Sequence, residues 1–133
     1  MAGYLLDAGT CVAILRRDEG TLKKLTATAV GNVYVSAITQ SELLFGVGMS
    51  RRERQDQEAL DLFLRYAGVL EYPSGAAAHY GEIRMGMELR GETVGAHDLL
   101  LAAQARHLGL TLVTDKARRL GRTPGLEVAR WGA

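Results

Sequence analysis

The sequence predicts an α/β domain: a central parallel sheet of four or five strands with helices on both faces. Three observations predict it. Short β-prone runs alternate with longer stretches of helical spacing, and strand–helix alternation builds parallel sheets. Glycines stand where the helical stretches stop, at Gly68, Gly91 and Gly109. One stretch, Leu99–Leu108, is apolar nearly all round, as a helix buried against a sheet must be.

The elements follow in order. Tyr4–Leu6 is the first strand and ends on Asp7, which stands before a helix. Leu22 and Leu25 mark a short helix after Gly20. Val33–Ser36 is the second strand, and Ile38–Met49 a helix. Leu60, Leu62, Phe63, Leu64 and Tyr66 fall in a further helix ending at Gly68. Val69–Tyr72 is the third strand, and Ala76–Arg90 the helix after it. Leu99–Leu108 lies between that helix and a strand at Leu110–Thr114, and Leu126–Ala129 is a last short strand. Linkers, repeats and low-complexity stretches are absent, so the 133 residues form one expected domain, 1–133, with a hydrophobic fraction of 47% that suits a packed core.

Composition narrows the function classes. One cysteine, Cys11, rules out an internal disulfide and a cysteine-rich zinc site, and its apolar neighbours Val12 and Ile14 mark it as a core residue. The longest near-apolar run, Asp98–Ala105, is too short to span a bilayer. No leader pattern opens the chain, so a cytoplasmic protein with no membrane partner is expected. Net charge is +1, but the basic residues cluster: Arg16, Arg17, Lys23 and Lys24; Arg51, Arg52 and Arg54; Lys116, Arg118, Arg119 and Arg122. They are either solvated helix faces or a basic rim around an acidic cleft.

Functional crevices of parallel sheets lie at the carboxyl ends of the strands. The polar residues expected there are Asp7, Ser36 with Glu42 a turn later, Asp98, and Thr114 with Asp115. Four clustered carboxylates repel, and each raises its neighbours' pKa. A divalent cation resolves that conflict, and Mg²⁺ or Mn²⁺ prefers such oxygen ligands. A site of this kind activates water for in-line attack on a phosphodiester. Each acid also has a plainer reading. Asp7 and Asp98 suit helix N-caps, Thr39-x-x-Glu42 fits a capping box, and Asp115 suits a turn.

The chain resembles the VapC toxins of the PIN-domain ribonuclease family over nearly its whole length. The likeness lies in Tyr4-Leu5-Leu6-Asp7, in Val35-Ser36-Ala37-Ile38-Thr39-Gln40-Ser41-Glu42-Leu43, and in His79-Tyr80-Gly81-Glu82-Ile83-Arg84. It continues through Gly95-Ala96-His97-Asp98-Leu99-Leu100-Leu101-Ala102-Ala103, Leu112-Val113-Thr114, and Pro124-Gly125-Leu126 with Trp131. The resemblance implies a PIN fold and Mg²⁺- or Mn²⁺-dependent endoribonuclease activity on tRNA or rRNA. It implies that Asp7, Glu42 and Asp98 hold the metal, with Asp115 at the last site. It also implies a homodimer, inhibition by a VapB-type antitoxin and a possible higher assembly of the two. Four positions depart from the family pattern. Ala8 and Gly9 replace the usual Thr and Asn, with Thr10 a partial substitute. Ala96 replaces a proline. Lys116 occupies the position of a frequent Asn or Asp, where it would meet either a phosphate or the other carboxylates.

Helix Ile38–Met49 carries Leu43, Leu44, Phe45, Val47 and Met49 on more than one stripe, which predicts a helix buried on two sides or a face for a second chain. Rival functions remain. A catalytically silent PIN domain would only bind a partner. Asp7-Ala8-Gly9-Thr10 looks like the opening of haloacid-dehalogenase-type phosphatases, with Asp7 a nucleophile and Lys116 their lysine, but the second Asp of that motif is missing. An HD-type phosphohydrolase built on His79, His97-Asp98 and Asp115 would need an all-helical fold, and a receiver-like module would need paired acids after its first strand.

Overall fold

The computed structural model describes residues 3–132. Among them, five strands form one sheet in the order β3-β2-β1-β4-β5, and every neighbouring pair is parallel. The strands are β1 (Tyr4–Leu6), β2 (Val33–Ser36), β3 (Gly68–Leu70), β4 (Thr111–Val113) and β5 (Val128–Ala129). The centre is β1, where Leu6 pairs with Val35 on one side and Val113 on the other. Side chains alternate between faces, as strand pleating requires. Leu5, Tyr34 and Leu112 join one hydrophobic layer, while Leu6, Val33, Val35 and Val113 join the other.

The second layer is covered by α1 (Ala8–Leu15), α2 (Glu19–Thr26), α3 (Ala37–Gly48) and α4 (Glu53–Tyr66). The first is covered by α5 (Ala76–Leu89) and α6 (Ala96–Leu108). A short α7 (Ala117–Leu120) precedes β5. On α6, Leu101, Ala102, Ala103, Gln104 and Ala105 are all buried, as its apolar composition predicts. Gln104 Nε2 donates to the Glu71 carbonyl at 3.1 Å, and the Tyr72 hydroxyl donates to the Leu100 carbonyl at 2.9 Å. These bonds fix α6 against the segment after β3, with Gln104 Oε1 left unpartnered among the described residues. Gly109 closes α6 with φ 70°, a left-handed turn that glycine adopts without steric cost.

Several boundaries differ from the sequence reading. β1 and β2 have the bounds read from the sequence, but the other strands are shorter: β3 stops at Leu70, β4 spans Thr111–Val113 and β5 starts at Val128. The helix at Asp98 starts earlier, at Ala96, with Gly95 as its N-cap, so Asp98 is its third residue and not its cap. The Thr39-x-x-Glu42 capping box is overturned. Ser36 is the N-cap of α3, its Oγ accepting from Ile38 N at 3.1 Å, and Thr39 lies buried within the helix. Glu42 is thereby left free of any capping duty. The sequence pattern had not marked α7, whose four residues are too few to show a period.

The chain moves from β1 outward to β2 and β3, then crosses back to β4 and β5 on the other side of β1. That reversal makes the β1–β4 boundary the topological switch point, where a crevice opens at the carboxyl ends.

Candidate active site

A cleft of about 490 Å³ lies at that switch point, and Asp7, Gly9, Glu42, His97, Asp98 and Lys116 line it. Three of the four acids expected at strand ends therefore share one cavity, from three separate elements. Asp7 is held most firmly. It directly follows β1, its N–H donates to the Val113 carbonyl at 3.1 Å, and its Oδ1 accepts from Thr10 N at 2.8 Å. It is 3% exposed. The N-cap reading of Asp7 is thus correct, and it coexists with a place in the cleft. The Thr10 hydroxyl donates to the Val113 carbonyl at 3.3 Å, and Thr10 is not among the residues lining the cleft.

Glu42 reaches the cleft from the second turn of α3, and its Oε1 lies 2.9 Å from His97 Nδ1. Asp98 reaches it from the first turn of α6, where exposed N–H groups favour a carboxylate. Its Oδ2 lies 3.1 Å from Lys116 Nζ. Of the two partners open to Lys116, phosphate or carboxylate, the structure thus shows a carboxylate. The Lys116 ammonium is held above its ordinary pKa, first by the hydrogen bond to Asp98 and further by the charges of Asp98, Asp7 and Asp115, with partial burial opposing. The pairing of His97 with Glu42 was not foreseen. Its signal was adjacency: His97 precedes an acid at a helix start.

Asp115 is placed differently. It is exposed and lines a neighbouring hollow of about 430 Å³ with Glu92, Arg118, Arg119 and Arg122, which Lys116 joins to the main cleft. Gly9 stands between the two spaces. A Cβ there would lie 3.5 Å from Asp115 Oδ2 and 3.7 Å from Asp7 Oδ1. A side chain longer than alanine's would fill the ground between these carboxylates, so glycine keeps it open.

The donors suit a hard divalent cation, since all are carboxylate oxygens and the Gly9 gap leaves room beside Asp7 and Asp115. Among the described residues, no three acids, histidines or cysteines stand close enough to hold an ion as placed. Glu42 is turned to His97 and Asp98 to Lys116, so local partners hold them.

Of the two readings of the basic clusters, both apply in part. Arg16, Arg51 and Arg52 line a hollow that reaches Glu42, and Lys116, Arg118, Arg119 and Arg122 line the one beside Asp115. Lys23 and Lys24 lie exposed on α2. Cys11 is fully buried, and burial, then the charge of Asp7, pushes its thiol far above its ordinary pKa, which fits a core role and not a nucleophile. His79 accepts from Arg106 Nε at 2.8 Å and sits 5.4 Å from the His107 ring, so it belongs to another cluster. Together with the parallel sheet, this removes the all-helical HD reading.

Known proteins share this architecture. The family model described as PIN domain matches residues 4–125. Ribonuclease VapC2 of Rickettsia felis is 33% identical over 96% of this chain and 97% of its own length. The tRNA(fMet)-specific endonuclease VapC of Shigella flexneri is 28% identical over 98% and 99%. The crystal structure of VapBC2 from Rickettsia felis, bound to a DNA fragment from their promoter, matches with a TM-score of 0.88 at 31% identity, covering 98% of this chain and 99% of that one. Fold and full-length likeness agree, and this chain belongs to the PIN-domain family, among the VapC ribonucleases.

Proposed function

We propose that this chain is a divalent-metal-dependent endoribonuclease, the toxin of a toxin–antitoxin pair. One observation carries the reading: Asp7, Glu42 and Asp98, from three separate elements, line one cleft at the switch point of a parallel sheet. In this reading those three acids hold Mg²⁺ or Mn²⁺, and Asp115 assists from the far side of Gly9. The ion, when bound, lowers the pKa of a water and offsets charge on the phosphodiester. The protein's own groups do the rest. Asp7 is pinned by β4 and the first turn of α1, so its carboxylate needs no reorganisation. His97 orients Glu42. The arginines at the two hollows flank the cleft and suit the phosphates of an RNA strand.

The likeness to an endonuclease specific for tRNA(fMet) supports a structured RNA, tRNA or rRNA, as substrate. The likeness to a VapBC structure supports a VapB-type antitoxin as partner. Leu44 and Phe45 on α3 and Met49 at its C-cap are exposed, and they offer an apolar face for a second copy or an antitoxin helix. None of the described helices is long and apolar enough to cross a membrane.

The test is RNA cleavage by the purified protein. Total tRNA and rRNA are incubated with Mn²⁺ or Mg²⁺, with EDTA, and beside an Asp98→Asn control. Metal-dependent cutting that vanishes in the control supports the enzyme. Absence of both cutting and Mn²⁺ binding in folded protein sinks it in favour of a silent partner-binding domain.

A further inference from the structure

Lys116 sits where the acid cleft meets the hollow around Asp115, and it lines both. Its Nζ lies 3.1 Å from Asp98 Oδ2. The two partners are unequal: the Asp98 side chain is 17% exposed and the Lys116 side chain 52%. Asp98 is fixed on the first turn of α6, whereas Lys116 is a flexible stem with water on one side. The ammonium can therefore leave without disturbing either backbone. The Lys116 backbone is anchored independently, its N–H donating to Thr114 Oγ1 at 3.1 Å.

We propose that Lys116 sets the divalent-ion affinity of the acid cleft by competing with the ion for Asp98. This rests on reading Asp7, Glu42 and Asp98 as the metal-holding acids. An ion that takes Asp98 Oδ2 displaces Lys116 from it, and any ion among these acids meets a like charge a few ångströms away. Both effects oppose binding. They keep one of the three cleft carboxylates paired when the ion is scarce, so loading follows the free Mg²⁺ or Mn²⁺ level instead of saturating at low levels. The fold needs no rearrangement for this beyond one exposed side chain.

Calorimetric titration of the full chain with Mn²⁺ alone tests it, with Lys116→Met, Lys116→Arg, and each combined with Asp98→Asn. Lys116→Met removes the charge and keeps the stem, and it is expected to bind Mn²⁺ at least about tenfold more tightly than the parent. Lys116→Arg retains the charge and should stay near the parent, a distinction that a merely structural role would not produce. In the Asp98→Asn background the gain from Lys116→Met should shrink sharply, because the competition runs through Asp98. An unchanged or weaker affinity in Lys116→Met overturns the proposal while the metal site stands. So does a gain that persists in full without Asp98. If neither the parent nor Lys116→Met binds Mn²⁺, though both melt cooperatively, the metal reading itself fails and the proposal with it.

Discussion

Two helices begin where a central strand ends, and they use their first turns differently. At the end of β1, Asp7 caps α1 and also faces the cleft. At the end of β2 the duties are divided. Ser36 caps α3, and Glu42 faces the cleft from the second turn. A carboxylate and a hydroxyl are comparable caps. The difference is therefore one of charge, which the fold does not require at β1 but the proposed metal site would use. In that proposal folding and function overlap at Asp7, and they are separable at Ser36 and Glu42.

The largest expected effects break function on both sides while leaving the fold. Asp7→Asn, Glu42→Gln and Asp98→Asn should each slow RNA cleavage at least about a hundredfold, ~2.7 kcal/mol of barrier, with unchanged melting curves. Asp115→Asn should do less, since Asp115 lies outside the main cleft. Ser36→Ala should cut at close to the parent rate. Slow cleavage by folded Ser36→Ala would show that capping and catalysis are not separable on α3.

A second contrast comes from metal addition and removal. Ligand that binds only the native state stabilises it, by about 2.7 kcal/mol at a hundred times its Kd. Mn²⁺ should therefore raise the melting temperature of the parent, and EDTA should reverse the rise. In Asp7→Asn and Glu42→Gln the rise should shrink or vanish. An equal rise in all three would place the ion somewhere other than this cleft.

The same contrast explains what the sequence made legible. Asp7 was readable because a strand, an acid and a helix follow one another without a gap, so position along the chain fixes position in space. The strands and α6 were readable through their apolar runs and the stop at Gly109. Asp98 was misplaced at the boundary because the apolar run starts at Leu99, while Ala96 and His97 carry no periodic signal and Gly95 caps with no side chain. Thr39 and Glu42 matched a capping box because that motif is defined by spacing alone. The true cap, Ser36, was also present in the sequence, and the end of β2 decided between them. Contact of Lys116 with a carboxylate was readable as one of two alternatives, but the choice of Asp98 was not. The contact of His97 with Glu42 was hidden altogether. Each joins elements that the sheet order brings together, and spacing along the chain does not encode such a partner.

Smaller effects separate the caps. Asp7→Ala should lower stability by about 1 kcal/mol, because Thr10 N loses its acceptor in a buried first turn, whereas Asp7→Asn should keep most of it. Ser36→Ala should cost a similar amount through Ile38 N. Chemical denaturation measures all three. A large loss in Asp7→Asn would mean that the charge itself, and not only its oxygen, supports α1.

The smallest effect is the sharpest for the comparison. Among the described residues, the contact with His97 is the one side-chain polar link of Glu42, and the two side chains are 60% and 35% exposed. Exposed pairs of this kind contribute about 0–1 kcal/mol. His97→Ala should therefore leave stability within roughly 0.5 kcal/mol of the parent, while weakening cleavage by freeing Glu42 to adopt other rotamers. The expected signature is a modest rate loss with no change in denaturation midpoint, much smaller than that of Glu42→Gln. A stability loss well above 1 kcal/mol in either variant would mean that Glu42 helps to hold α3 against α6. The division of labour at β2 would then be no cleaner than at β1, and the contrast between the two helix starts would reduce to the choice of capping atom.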